Sequence, residues 1–372
     1  MLWLGHDVKR PFAVWRHLDD CPGVMVNAYQ LLERPWFRGS VLKAGGVHGA
    51  LGYEGLVFMD SAGYRLQRER DRNVSLTEVL ALQRESRPDV AAVLDVPLSP
   101  LVSSQVNHRR WRRTVQNTAF MHSNNGNVLL APVLHAYSIP VIPRRSDELK
   151  RIVEKPSVIC LGSLVPLLRG SYVGTRFTNS RDKTPLTFQR WRFISRLILS
   201  VRRLYPGSTL HVFGAGSLTT MYLLFLLGAD SFDSTSWRVK AAYGAIQLPG
   251  VPDRFPAPRR NANRVRRKLG APGREILARC HCPACEGTDM ERRVKSLSAS
   301  FESRAIHNAH VFLSELRLLR EASADGIGSD FVRDRLRGSD RFARILEDVV
   351  LPELQHSPAS RGILGAGQNG AT

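Results

Sequence analysis

The stretch Leu210-His211-Val212-Phe213-Gly214-Ala215-Gly216, followed by a helical run from Ser217 to Leu227 and then by Ser231-Phe232-Asp233, decides the fold. A short, nearly continuous apolar run ends in glycines, and a second short run ends in an aspartate. Apolar runs of this kind suit parallel strands buried on both faces. With a helix between them they make one strand–helix–strand unit. The same unit recurs back along the chain. Further runs lie at Leu2–Gly5, Val24–Asn27, Leu56–Asp60, Val90–Asp95, Val128–His135 and Val158–Gly162. Amphipathic stretches at Ser75–Gln83, Gln105–His122 and Phe188–Tyr205 separate several of them. Eight strands alternating with helices predict an α/β fold, a (β/α)8 TIM barrel over residues 1–250. Such a barrel gathers its chemistry at the C-terminal ends of its strands. Those ends carry Asn27, Asp60, Asp95, His135, Gly162, Gly214 and Asp233. Asp, Asn and Gly also follow strands as turn formers, but so complete a set of polar and glycine ends reads as a lined site.

The chain has 372 residues, enough for a sizeable core at 43% hydrophobic content. Its 53 Lys and Arg against 33 Asp and Glu leave a formal charge of +20. A surplus of that size attracts polyanions, and nucleic acid rewards each cation by counterion release. Arg109, Arg110, Arg112 and Arg113 cluster on one predicted helix, and Arg264, Arg266, Arg267 and Lys268 close a second basic run. Both suit phosphate contacts, which position a strand without reading it. No apolar stretch approaches the ~20 residues of a membrane span, and residues 1–10 have no signal-peptide pattern. The expected location is cytoplasmic, with no membrane partner.

Beyond Asp233 the pattern changes. Val251–Lys268 is rich in Pro and Arg and reads as a loop or basic arm. Cys280-His281-Cys282-Pro283-Ala284-Cys285 is a Cys-x-Cys-x-x-Cys knuckle. Three thiolates and one further ligand would complete a tetrahedral, closed and therefore structural Zn2+ site. His307 and His310, on a following helix, are both candidates for the fourth position. The expected organisation is a barrel at 1–250, a basic arm and zinc-binding subdomain at 251–330, a C-terminal helix at 331–355 and a disordered Gly/Ser/Ala-rich tail at 356–372.

Several segments, taken in order, resemble the tRNA-guanine transglycosylase superfamily. Val26-Asn27-Ala28-Tyr29-Gln30-Leu31 through Arg34-Pro35 is similar to its Asn-Thr-Tyr-His-Leu…Arg-Pro segment. Gly45-Gly46-Val47-His48 through Gly52-Tyr53 continues the match, and Asp60-Ser61-Ala62-Gly63-Tyr64 resembles its Asp-Ser-Gly-Gly-Phe/Tyr motif. Gly162-Ser163-Leu164-Val165-Pro166 is similar to the glycine loop of the archaeal branch. His211–Gly216 with Gly228–Ser234 resembles the nucleophile segment. The knuckle with Ile306-His307-Asn308 resembles the zinc module, which makes His307 the fourth ligand. Three departures stand out: Ala62 for a glycine, His135 where glutamine is usual, and Ser234–Arg238 in place of Leu-Pro-Thr-Arg. With no RNA-binding C-terminal domain in view, the mixture most resembles the DpdA-type DNA-guanine transglycosylase branch.

The resemblance implies a pentosyltransferase that exchanges guanine for a 7-deazaguanine base, of the 7-cyano-7-deazaguanine type. Asp233 would be the nucleophile and Asp60 the proton donor and acceptor, in the manner of a retaining glycosidase. Asp95 would accept from the guanine N1–H and amine. His135 and the amides around Gly162, Ser163 and Leu164 would read the carbonyl and substituent side. Gly214 would keep the floor open and Tyr64 would stack on the base. The partners expected are nucleic acid, DNA ahead of tRNA, the free 7-deazaguanine base, and accessory proteins of a DNA-modification system. The rival readings are a tRNA enzyme and a non-catalytic nucleic-acid-binding barrel.

Overall fold

A computed structural model describes residues 1–6, 12–64, 75–170, 184–257 and 267–356. Nine strands form the main sheet: β1 (Leu2–Gly5), β2 (Gly23–Asn27), β3 (Leu56–Asp60), β4 (Val90–Ala92), β5 (Leu130–Ala131), β6 (Val133–Leu134), β7 (Val158–Leu161), β8 (Thr209–Val212) and β9 (Ser231–Ser234). Every neighbouring pair is parallel. The order is β5-β4-β3-β2-β1-β9-β8-β7-β6. The two edges, β5 and β6, are one stretch of chain parted by Pro132 alone, so the sheet comes round on itself as the expected barrel. One run was expected over Val128–His135. It divides because proline has no N–H to give the ladder. Its carbonyl still accepts from Cys160 N at 2.9 Å, while Ala131 O accepts from Val93 N at 3.0 Å on the other side.

Period-2 alternation sorts the strand residues. Leu2, Leu4, Val24, Val26, Val57, Met59, Ile159, Leu161, Leu210 and Val212 belong to the large core under the helices. Trp3, Met25, Phe58, Ala92, Ala131, Val133 and Cys160 form a separate buried cluster that fills the lumen. The inward face therefore continues to Asn27 after Met25, to Asp60 after Phe58, and to Gly162 after Cys160.

The fourth expected strand, Val90–Asp95, stops at Ala92. Its continuation is held instead by one stripe of the helix Ser104–Ser123. Met121 Sδ accepts from Leu94 N, Asn117 Nδ2 donates to Leu94 O at 2.7 Å, and Thr114 Oγ1 accepts from Val96 N at 2.9 Å. Asn107 bonds Ser99 through both amide atoms, and Arg110 donates to Pro97 O at 3.1 Å. Asp95 thus stands on a segment pinned by side chains rather than by a ladder.

Past the barrel, β10 (Ile246–Leu248) and β11 (Val251–Arg254) form an antiparallel hairpin, so part of the expected basic arm is strand. Ile246, Leu248, Leu269, Leu277, Cys282, Cys285 and Leu297 make a second small core. It draws its first residues from ahead of position 250. The helix Phe301–Ala324 carries Ala305, Ala309, Phe312 and Leu319 into the large core, as the segments between Val332 and Leu354 also do. Among the described residues no helix is long and apolar enough to cross a membrane. The tail from residue 357 onward lies outside the described residues.

Candidate active site and metal centre

Asp60 closes β3, opposite Asn27 in register. Asn27 Oδ1 caps the helix Ala28–Glu33 by accepting from Tyr29 N at 2.9 Å. That bond leaves the Asn27 amide group pointing at Asp60 Oδ2, to which it donates. Asp60 Oδ1 accepts from Ala62 N at 3.3 Å. Burial, then the nearby carboxylates of Asp95 and Asp233, push the Asp60 carboxyl up to about 7. Desolvation and like charge both penalise the ionised form. A group balanced near neutrality can give and take a proton at working pH. The turn that follows is tight. A Cβ on Gly63 would lie 2.3 Å from Asp95 O and 2.4 Å from its Oδ1, which explains glycine there. Ala62 sits at φ 72°, a left-handed conformation that penalises a Cβ.

Asp95 keeps one oxygen on Ser61 Oγ, which donates to Oδ1 at 3.2 Å. Its Oδ2 lies 3.1 Å from His135 Nε2. His135 is fully buried, and its Nδ1 is 2.8 Å from Ser163 Oγ. A Cβ at Gly162 would meet His135 Cε1 at 2.5 Å, so glycine is required by the ring itself. The Gly162 amide donates to Leu134 O at 3.0 Å. Of the three amides expected to face a base, this one is used by the sheet. The Leu164 side chain is fully buried beneath the loop, whereas Tyr64 stands 57% exposed beside Gly63.

Asp233 lies on β9, next to buried Ser231 and Phe232. Its Oδ1 accepts from Gly214 N at 2.6 Å. Gly214 has φ 69°, and a Cβ there would strike Val165 Cγ2 at 2.4 Å. The same Asp233 oxygen is 3.6 Å from Nε2 of His211, a fully buried ring whose Nδ1 is 2.8 Å from Ser231 Oγ. Burial pushes the His211 imidazole down and so favours its neutral form. His211 was not among the expected site residues. The available signal was a lone histidine inside an otherwise apolar strand. Beneath the three carboxylates, burial and their negative charge push the Cys160 thiol well up, keeping it neutral.

Cys280, Cys282, Cys285 and His307 place their ligand atoms within 4.8 Å of one another. His307 Nδ1 lies 3.4, 3.6 and 3.6 Å from the three sulfurs. Zn–S and Zn–N bonds at the tetrahedral angle imply an N···S edge of about 3.6 Å. The set therefore fits a zinc ion. Gln247 O accepts from the other ring nitrogen of His307 at 2.9 Å, which fixes the ring as metal-bound imidazoles are commonly fixed. His310 instead has its Nε2 at 3.2 Å from Ser314 Oγ.

The basic clusters divide. Arg109, Arg112 and Arg113 are exposed on one face of their helix, while Arg110 turns onto the Asp95 segment. Lys268 pairs with Phe255 in an isolated β-bridge, and Arg267 O accepts from Phe255 N at 2.9 Å. Arg264 and Arg266 lie outside the described residues.

The chain belongs to the family described as queuine tRNA-ribosyltransferase, whose model matches residues 13–341. It is 24% identical over 328 residues to a tRNA-guanine(15) transglycosylase of Korarchaeum cryptofilum, covering 84% of this chain and 48% of the relative. Proteins of the same name from Haloarcula marismortui and Methanopyrus kandleri are 24% and 26% identical, over 85% and 82% of this chain and 57% and 59% of theirs. The chain spans about half to three fifths of the length of these relatives.

Proposed function

We propose that the chain is a guanine transglycosylase acting on nucleic acid, with Asp233 as nucleophile and Asp60 as the group that moves protons. The observation that carries this reading is the trio of inward carboxylates with unlike surroundings: Asp60 is pushed up to about 7, and Asp233 is held by an amide and faces a neutral imidazole. Asp233 would attack C1′ as the C1′–N9 bond breaks, and protonated Asp60 would pass its proton to the departing guanine. The resulting Asp60 carboxylate then takes a proton from the incoming base, whose nitrogen displaces Asp233 from C1′. Two displacements retain configuration. Asp95 offers oxygen acceptors to the guanine N1–H and amine, and the Ser163 and Leu164 amides offer donors to its carbonyl. Zinc at the Cys3His cluster would serve folding, because no ligand position is left open.

The polymer we assign is tRNA, which the relatives' names support. DNA, expected from the sequence departures, finds no such support. The test offers labelled guanine, and separately a labelled 7-deazaguanine base, with bulk tRNA or duplex DNA. Label in tRNA supports the assignment. Label in DNA alone transfers the same chemistry to the other polymer. Label in neither, with metal-loaded folded protein, overturns the reading.

A further inference from the structure

We propose that His135 is a positioning residue that orients Asp95, and that it does not itself touch the base. The proposal rests on the base-exchange reading, within which His135 was expected to contact the substrate. The ring has no exposed surface, and Nε2, with no other hydrogen-bond partner, faces the Asp95 carboxylate. Asp95 Oδ2 lies 3.1 Å from that nitrogen, and the Asp95 side chain keeps 11% of its surface. A base entering the barrel mouth therefore reaches the carboxylate and meets the imidazole only through it.

The other nitrogen is equally engaged. Ser163 Oγ accepts from Leu98 N at 2.9 Å and lies 2.8 Å from His135 Nδ1. Tyr137 Oη donates to Ser163 O at 2.8 Å, which holds the serine backbone at φ 66°. An acceptor-only carboxylate at Nε2 favours the proton on that nitrogen, and Nδ1 then accepts from the Ser163 hydroxyl. The ring is a rigid strut between the segment after β4 and the loop after β7, with Gly162 cut back to admit it. A flexible amide side chain at this position would lack that stiffness. Because His135 acts through Asp95, its loss must weaken every base that uses Asp95 by the same factor.

The experiment measures kcat and KM for guanine and for 7-cyano-7-deazaguanine, at saturating nucleic acid, in wild type, His135→Ala and Ser163→Ala. Removing a buried polar partner should raise both KM values together, by about tenfold to a hundredfold for His135→Ala and less for Ser163→Ala. Turnover should stay within about threefold, and the ratio of the two KM values should not move. A shifted ratio would make His135 a base reader. Unchanged KM with a lowered Tm would make it structural only. Should His135→Ala not fold, Ser163→Ala carries the same test. Side-chain 15N NMR of His135 gives a readout independent of turnover: the Nε2–H tautomer is expected, and a ring protonated on Nδ1 alone overturns the proposal. If the wild type exchanges no base, the functional reading fails while this spectrum still decides the geometry.

Discussion

The barrel mouth and the zinc knuckle both gather reactive side chains, and they do so with opposite energetics. At the knuckle, four ligands converge on one point, and a cation there would offset their burial, so metal binding and local folding are coupled. At the mouth, Asp60, Asp95 and Asp233 come together, and burial first, then the like charge of the other two, raises the Asp60 carboxyl. A metal at the first cluster would stabilise the fold, whereas burial and like charge make the second a cost to it.

The sharpest break of this contrast is Asp233→Ala. Trapped protein–polymer adduct should vanish on a denaturing gel and exchange should fall by roughly 10⁴-fold or more, as for other nucleophile deletions. The Tm should hold or rise. A lowered Tm with adduct still forming would put the nucleophile elsewhere.

Next is Cys280→Ser, which should empty the metal site by elemental analysis. It should lower stability in a denaturant titration by several kcal/mol, as loss of a structural metal does. Molecules that remain folded should still exchange bases. A metal-loaded variant of wild-type stability would remove Cys280 from the ligand set.

Asp60→Asn should slow adduct formation by about 10²- to 10⁴-fold, the usual range for a general acid. Its pH dependence tests the environment. With the carboxyl at about 7, single-turnover adduct formation in the wild type should fall above that pH, and the variant should show no such limb. The folded pKa lies above the unfolded value, so the folded state holds the proton longer. Wild-type stability should thus decline as pH rises from about 4 to about 7. Asp60→Asn should flatten that decline; an equally steep one would assign the repulsion to another group.

The smallest effect belongs to Ala62→Gly. Relief of a left-handed alanine should raise stability by about 1 kcal/mol or less. A denaturant midpoint that falls would mean that the Ala62 methyl, buried at 1% exposure, packs better than its backbone suffers.

Much was legible in the residues alone. Apolar runs of strand length, spaced by helical stretches, announced the barrel because burial on both faces demands continuous hydrophobicity. The knuckle was equally plain, since three of its ligands are neighbours in the chain. The expectations weakened where contacts are long-range. Pro132 was visible, but its division of a strand into two halves serving opposite neighbours appears only once the sheet has closed. Asp95 was read as a strand end, yet its segment is held by Asn107, Thr114, Asn117 and Met121 from the next helix. His211 was given no role of its own because nothing local links it to Asp233, 22 positions on.

What the sequence determined by itself was the barrel, the place of Asp60 and Asp233 at strand ends, and the three-cysteine knuckle. Each follows from a period or spacing set within a few residues. What only the tertiary structure decided was the state of those groups. The pKa of Asp60, the neutrality of His211 and the sequestering of His135 behind Asp95 depend on charges and burial from strands far apart in the chain. Electrostatic energy is fixed by distance in space, which the order of residues does not contain.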